Sequence, residues 1–184
     1  MSAPSVSIRE RSAALEWAAV AAGLVLLVMR AYVPFGVAVL ALVYLAMATL
    51  AVAASGGSIP RMHPAAVVGI GFAAVWLAGR AGGTALPAAD VTTAAVVLNL
   101  LAAMGEEAFF RKFLYDRTAR WGPAGAIAIT ALAFAAIHVP AYGVAAFPVD
   151  LGAGVLLGWQ RWASGTWLAP AATHAFANLW VMVR

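Results

Sequence analysis

The chain has 184 residues, of which 65% are hydrophobic and 10% charged, and a formal net charge of +4. Ordinary soluble domains are about half apolar and about a quarter charged, so this is the composition of an integral membrane protein. The chain has no cysteine, which excludes a thiol nucleophile, a thiolate metal site and any disulfide.

Residues 1–11 carry Arg9, Glu10 and Arg11 and read as a short cytoplasmic tail. The first apolar run spans about Ser12 to Met29. Glu16 within it, and no clean small-residue cleavage site after it, argue against a signal peptide. Arg30 to Pro34 is predicted as a tight turn, and Phe35 to Ala54 as a second span. Ser55 to Pro60 is a loop by composition. Pro64 to Gly79 is a third, shorter span, followed by a Gly-rich loop from Arg80 to Pro87.

The fourth helix is predicted from near Ala88 to about Arg120, because neither Gly nor Pro interrupts Glu106 to Trp121. It should outrun the ~30 Å hydrocarbon core, with Lys112, Arg117 and Arg120 at its wet end. Gly122-Pro123 is a turn, with Pro suited to a first helical position. The fifth helix runs to about His138, where Pro140 kinks or ends it. Sixth and seventh spans cover about Gly143 to Gln160 and Gly165 to Val183. The predicted fold is all-α, one membrane domain over residues 1–184: N-terminal spans over 1–87 and a core over 88–184.

With seven spans, Arg9, Arg11, Arg61, Lys112, Arg117, Arg120 and Arg161 fall on one side, and Arg30, Arg80 and Arg184 on the other. That bias puts the N-terminus inside. The net positive charge reads as orientation and lipid-headgroup contact, with no nucleic-acid partner expected.

The chemistry gathers around Met104-Gly-Glu-Glu-Ala-Phe-Phe-Arg111. A charge among apolar residues in a membrane costs several kcal/mol unless it is paired or lines a wet cavity. Glu107 and Arg111 are four apart and read as an ion pair. Glu106 has no such local partner. Glu106 and His138 each lie 16 residues from Gly122, so an antiparallel hairpin turning there sets them level. His174 and Asn178, four apart, share a face of the seventh helix. One Glu, two His and one Asn can then converge on a cavity between helices four, five and seven, equipped to activate water and stabilise an oxyanion. Taken singly, His138 could be an interfacial histidine, His174 a packing hydrogen bonder and Asn178 interhelical glue. The cavity is expected to reach water on the side of Lys112, Arg117 and Arg120.

Three segments carry a resemblance: Glu106-Glu107-Ala-Phe-Phe-Arg111 matches EExxxR, Phe134-Ala-Ala-Ile-His138 matches FxxxH, and His174-Ala-Phe-Ala-Asn178 matches HxxxN. In order and spacing the chain resembles the CPBP family of intramembrane glutamic endopeptidases, which includes the type II CAAX prenyl proteases. The resemblance implies Glu106 as the base that activates water, and His138 as its aid. It implies His174 and Asn178 as carbonyl and oxyanion ligands, and Glu107 with Arg111 as a supporting pair. It implies a membrane-anchored protein or peptide substrate and no cofactor; the apolar spans predict a multi-pass protein, and the Ala-rich, short chain suggests a bacterial plasma membrane.

Rival chemistries lack residues. A rhomboid-type Gly-x-Ser-Gly has Trp162 at its first position here. Tyr115-Asp116 has no Gly-x-Gly-Asp partner, and no His-Glu-x-x-His occurs. Two alternatives stay open: Glu106, His138 and His174 as ligands of an open zinc site, and a non-catalytic binding or immunity protein of the same fold.

Overall fold

A computed structural model describes residues 8–53, 58–81 and 91–183. The first seven residues of the predicted tail, the first half of the Ser55–Pro60 loop, the loop after Ala81, the predicted helix start near Ala88 and Arg184 lie outside the described residues.

Among the described residues the chain is helical, with no strand. The helices are α1 (Ile8–Met29), α2 (Val37–Ala53), α3 (Pro64–Ala81), α4 (Thr93–Glu107), α5 (Tyr115–Thr118), α6 (Gly122–Tyr142), α7 (Phe147–Ser164) and α8 (Leu168–Met182). Two helical stretches among the described residues are long and apolar enough to cross a membrane: Pro64–Ala81 and Thr93–Tyr142. The outer surface bears exposed Leu15, Leu42, Leu77, Leu132 and Val149, an apolar surface suited to lipid rather than water.

Thr92 starts α4 as its N-cap, its side chain accepting from the Ala95 amide. Between α4 and α5 the helix does not stay α. Ala108–Leu114 winds as a π-helix, and all of it except Phe113 is buried. The wider turn has a direct consequence. The Tyr115 amide donates to Phe110 and Lys112 carbonyls, and the Arg111 carbonyl accepts Arg161 Nε at 2.8 Å. The uninterrupted α-helix that the lack of Gly and Pro predicts is therefore modified at the motif itself. Tertiary partners, including this buried guanidinium, outweigh local propensity there.

The chain then reverses at Gly122, whose φ of 77° is a conformation that side-chain-bearing residues rarely adopt. α6 runs past His138 and carries Pro140 inside its last turn, ending at Gly143. The helix does not end at Pro140. A proline so near the helix end removes one hydrogen bond only, and the Gly143 amide closes the helix on the Val139 carbonyl at 2.8 Å. The next helix accordingly starts at Phe147 rather than Gly143, after a 3-10 turn over Val144–Ala146.

α6 and α7 form the most extensive helix contact. It depends on Gly154: a Cβ there would lie 2.8 Å from the Ala131 Cα. The Gly154 carbonyl also accepts Arg111 Nη2 at 3.2 Å. α2 crosses α4 as closely, since a Cβ on Gly105 would lie 2.9 Å from the Tyr44 carbonyl oxygen. These approaches leave the end of α4 surrounded by α2, α6, α7 and α8.

Candidate active site

Glu106 and Glu107 end α4, and both are buried, at 2% and 0% exposure. Consecutive residues on a helix point about 100° apart, so the two carboxylates face different neighbours. Glu107 turns inward. Its carboxylate accepts Arg111 Nη1 at 3.2 Å and lies 3.2 Å from Arg111 Nε. It also meets His174 Nδ1 at 2.9 Å. The Arg111 guanidinium is fully buried and lies 4.7 Å from the centre of the Phe134 ring, a cation–π contact.

Glu106 turns toward a cavity. Its Oε1 is ion-paired with Arg30 Nη1, and its Oε2 lies 3.7 Å from His138 Nε2. Glu106 and His138 thus stand side by side across the α4–α6 hairpin. His138 Nδ1 sits 2.7 Å from the Phe134 carbonyl oxygen. The Phe134 ring packs against both imidazoles, with its centre 4.4 Å from His138 and 5.6 Å from His174. Asn178 Nδ2 donates to the Asn99 carbonyl at 3.3 Å, tying α8 to α4.

A cavity of ≈ 290 Å³ joins these groups; Arg30, Tyr44, Glu106, His138, His174 and Asn178 are among its lining residues. Arg30 lies just beyond α1 and donates to Tyr44 Oη on α2 at 2.9 Å. The cavity therefore draws on α1 and α2 as well as the three predicted helices.

Glu106 has no partner within its helix and pairs instead with Arg30, 76 residues away. His174 bonds Glu107 and lines the same cavity as Glu106 and His138. One expectation needs correction: the cavity extends away from the Lys112 end. Its remaining walls are Leu98, Asn99 and Ala102 upstream on α4, and Ala141 and Tyr142 downstream on α6. The other direction is packed with Phe109, Phe110 and Leu114 and bolted by the Lys112–Asp116 and Arg161–Asp116 pairs, at 2.7 and 2.8 Å.

Arg30 and Tyr44 are the site residues that sequence reasoning missed. The available signal was charge balance: an arginine ending one apolar span and a glutamate unpaired in another each need a counter-charge. Among the described residues, no three His, Cys, Asp or Glu side chains are grouped so as to hold a metal ion.

The family model described as type II CAAX prenyl endopeptidase Rce1-like matches residues 88–180. The chain belongs to the Rce1-like family. No curated protein and no solved structure matches it. Membership in the Rce1-like family points to a protease acting on membrane-associated peptide substrates. With the apolar stretches Pro64–Ala81 and Thr93–Tyr142, it marks a membrane protein. All three sequence motifs fall within the Rce1-like segment, whereas Arg30 and Tyr44 fall outside it.

Proposed function

We propose that the chain is a seven-span intramembrane endopeptidase. It hydrolyses a peptide bond of a membrane-anchored protein or peptide with water activated by Glu106 and His138. The observation that carries this reading is Glu106 Oε2. It is buried, accepts no hydrogen bond, faces His138 Nε2 at 3.7 Å and lies at the wall of a cavity with room for water and a peptide carbonyl. A water bound to this oxygen loses its proton to the carboxylate as it attacks the scissile carbonyl carbon. His138 relays a proton to the departing amine. His174 is held through Nδ1 by Glu107, which leaves its Nε2 edge, with the second Asn178 amide hydrogen beside it, to bind the scissile carbonyl and its oxyanion. Glu107 and Arg111 hold His174 and the helix end in place. Cleavage that survives Glu106→Gln would overturn the reading.

In this scheme Glu and His supply the water activation. Activity on a membrane-anchored substrate is therefore expected to survive exhaustive chelation. Loss on chelation, with recovery on added zinc, would assign the chemistry to a metal instead.

The proposed setting is a bacterial plasma membrane with a cytoplasmic N-terminus, N-terminal spans over residues 1–87 and a catalytic core over 88–184. In that orientation the Gly122 turn is cytoplasmic and the cavity opens outward. The absence of cysteine makes this easy to read with single cysteines at Tyr142, 67% exposed, and Trp121, 51% exposed. On intact cells a membrane-impermeant maleimide is expected to label Tyr142→Cys, and Trp121→Cys only after permeabilisation. The reverse pattern would invert the topology and leave the chemistry untouched.

A further inference from the structure

Arg30 makes contacts that constrain where protons sit. Its guanidinium has five N–H donors and no acceptor. Nη1 pairs with Glu106 Oε1 and donates to Tyr44 Oη at 2.9 Å, while Nη2 lies 3.2 Å from His138 Nε2. A contact of that length with a pure donor requires a lone pair on Nε2. The other ring nitrogen, Nδ1, faces the Phe134 carbonyl oxygen at 2.7 Å, a pure acceptor, and so carries the hydrogen. The bond made by one imidazole nitrogen fixes the state of the other.

We propose that Arg30 is a positioning residue that sets the resting proton count of the site, holding Glu106 as a carboxylate and His138 as the neutral Nδ1–H tautomer with its Nε2 lone pair in the cavity. The inference deepens the protease reading and rests on it only for its catalytic consequence, which is that both bases start the cycle unprotonated. The charged and titratable groups facing His138 are Arg30 beyond α1, Glu106 on α4, and Asp150 on α7 with His174 on α8; Arg30 is the one that touches Nε2 as a pure donor. A hydrogen on Nε2 would point at the Arg30 donor 3.2 Å away, a contact that the Nδ1–H ring avoids.

The supporting geometry is built rather than incidental. Arg30 is held at the end of α1, where the Ala31 amide bonds to the Val28 carbonyl at 3.1 Å and the Val33 amide to the Met29 carbonyl at 2.9 Å. Its side chain is only 15% exposed. Tyr44 is 5% exposed and is brought against α4 by the close approach at Gly105. Two helices outside the family-matched segment thereby supply a cation and a phenol to the motif residues.

The test needs no substrate. The protein is labelled with ¹⁵N-histidine, and ring-nitrogen signals are read by NMR at neutral pH in detergent micelles. The chain has three histidines; signals are assigned by loss in His138→Gln and His174→Gln, with His63 as the exposed reference. Wild-type His138 is expected to show a protonated Nδ1 and a bare Nε2. Arg30→Gln is expected to abolish the single Nδ1–H signature of His138, whereas Arg30→Lys, which keeps a pure donor for Nε2, preserves it. Tyr44→Phe leaves the Arg30–Glu106 pair and so the tautomer. A doubly protonated or Nε2–H His138 in the wild type overturns the proposal, even if Arg30→Gln fails to fold. An unchanged tautomer in folded Arg30→Gln also overturns it. Neither result bears on whether Glu106→Gln stops proteolysis, so the two readings fail separately.

Discussion

Glu106→Gln is expected to reduce proteolysis by ~10²–10⁴-fold, the usual contribution of a positioned general base, with little change in thermal stability. The substitution keeps volume and shape. The amide oxygen still accepts from Arg30, so the cavity wall stays in place while the proton acceptor is lost. The unneutralised Arg30 costs less than a deep charge would, because its side chain is partly exposed and lines the cavity. The measurement is cleavage of a membrane-anchored substrate, found by terminal proteomics of a strain lacking the protein, together with unfolding in detergent. Wild-type turnover would remove Glu106 from the chemistry. A collapse in stability would mean that the Arg30–Glu106 pair serves folding first.

The three motifs were readable in the sequence because a membrane makes polar residues conspicuous. In a long apolar run, Glu106, His138, His174 and Asn178 each need a reason to be there. Equal spacing about Gly122 then sufficed to place Glu106 opposite His138. What escaped reading was whatever depends on rotation about a helix axis or on pairing far along the chain. The π-helical turn at Ala108–Leu114 carries no Gly or Pro to announce it. It arises where the backbone meets Arg161, fifty residues on. Nor does local pattern say that Glu107, rather than Glu106, meets His174. The direction in which the cavity opens was misjudged for a related reason. Lys112, Arg117 and Arg120 suggested a wet end, but Lys112 spans to Asp116 and Arg117 lies over the Phe113 ring at 3.5 Å. Those charges are engaged within the bundle, and none of them lines the cavity that holds Glu106 and His138.

Arg111→Ala is expected to destabilise the protein by ~3–5 kcal/mol, the usual effect of removing one partner from a buried ion pair. Arg111 is fully buried, and its removal strips Glu107 of its cation. His174 then remains as the main compensating group, at 2.9 Å. The Gly154 carbonyl loses its donor, and the contact with Phe134 disappears. Because Phe134 packs against both His138 and His174, the loss loosens both imidazoles. Glu107→Gln is expected to be milder, because the amide oxygen can still accept from Arg111 and the residual charge is delocalised over a guanidinium. The order of effect in thermal unfolding should therefore be Arg111→Ala first, Glu107→Gln second and Glu106→Gln last, with the order of activity loss on folded protein led by Glu106→Gln. If Arg111→Ala kept wild-type stability in detergent and yet had no activity, the pair would belong to the chemistry. The roles of the two adjacent glutamates would then have to be exchanged.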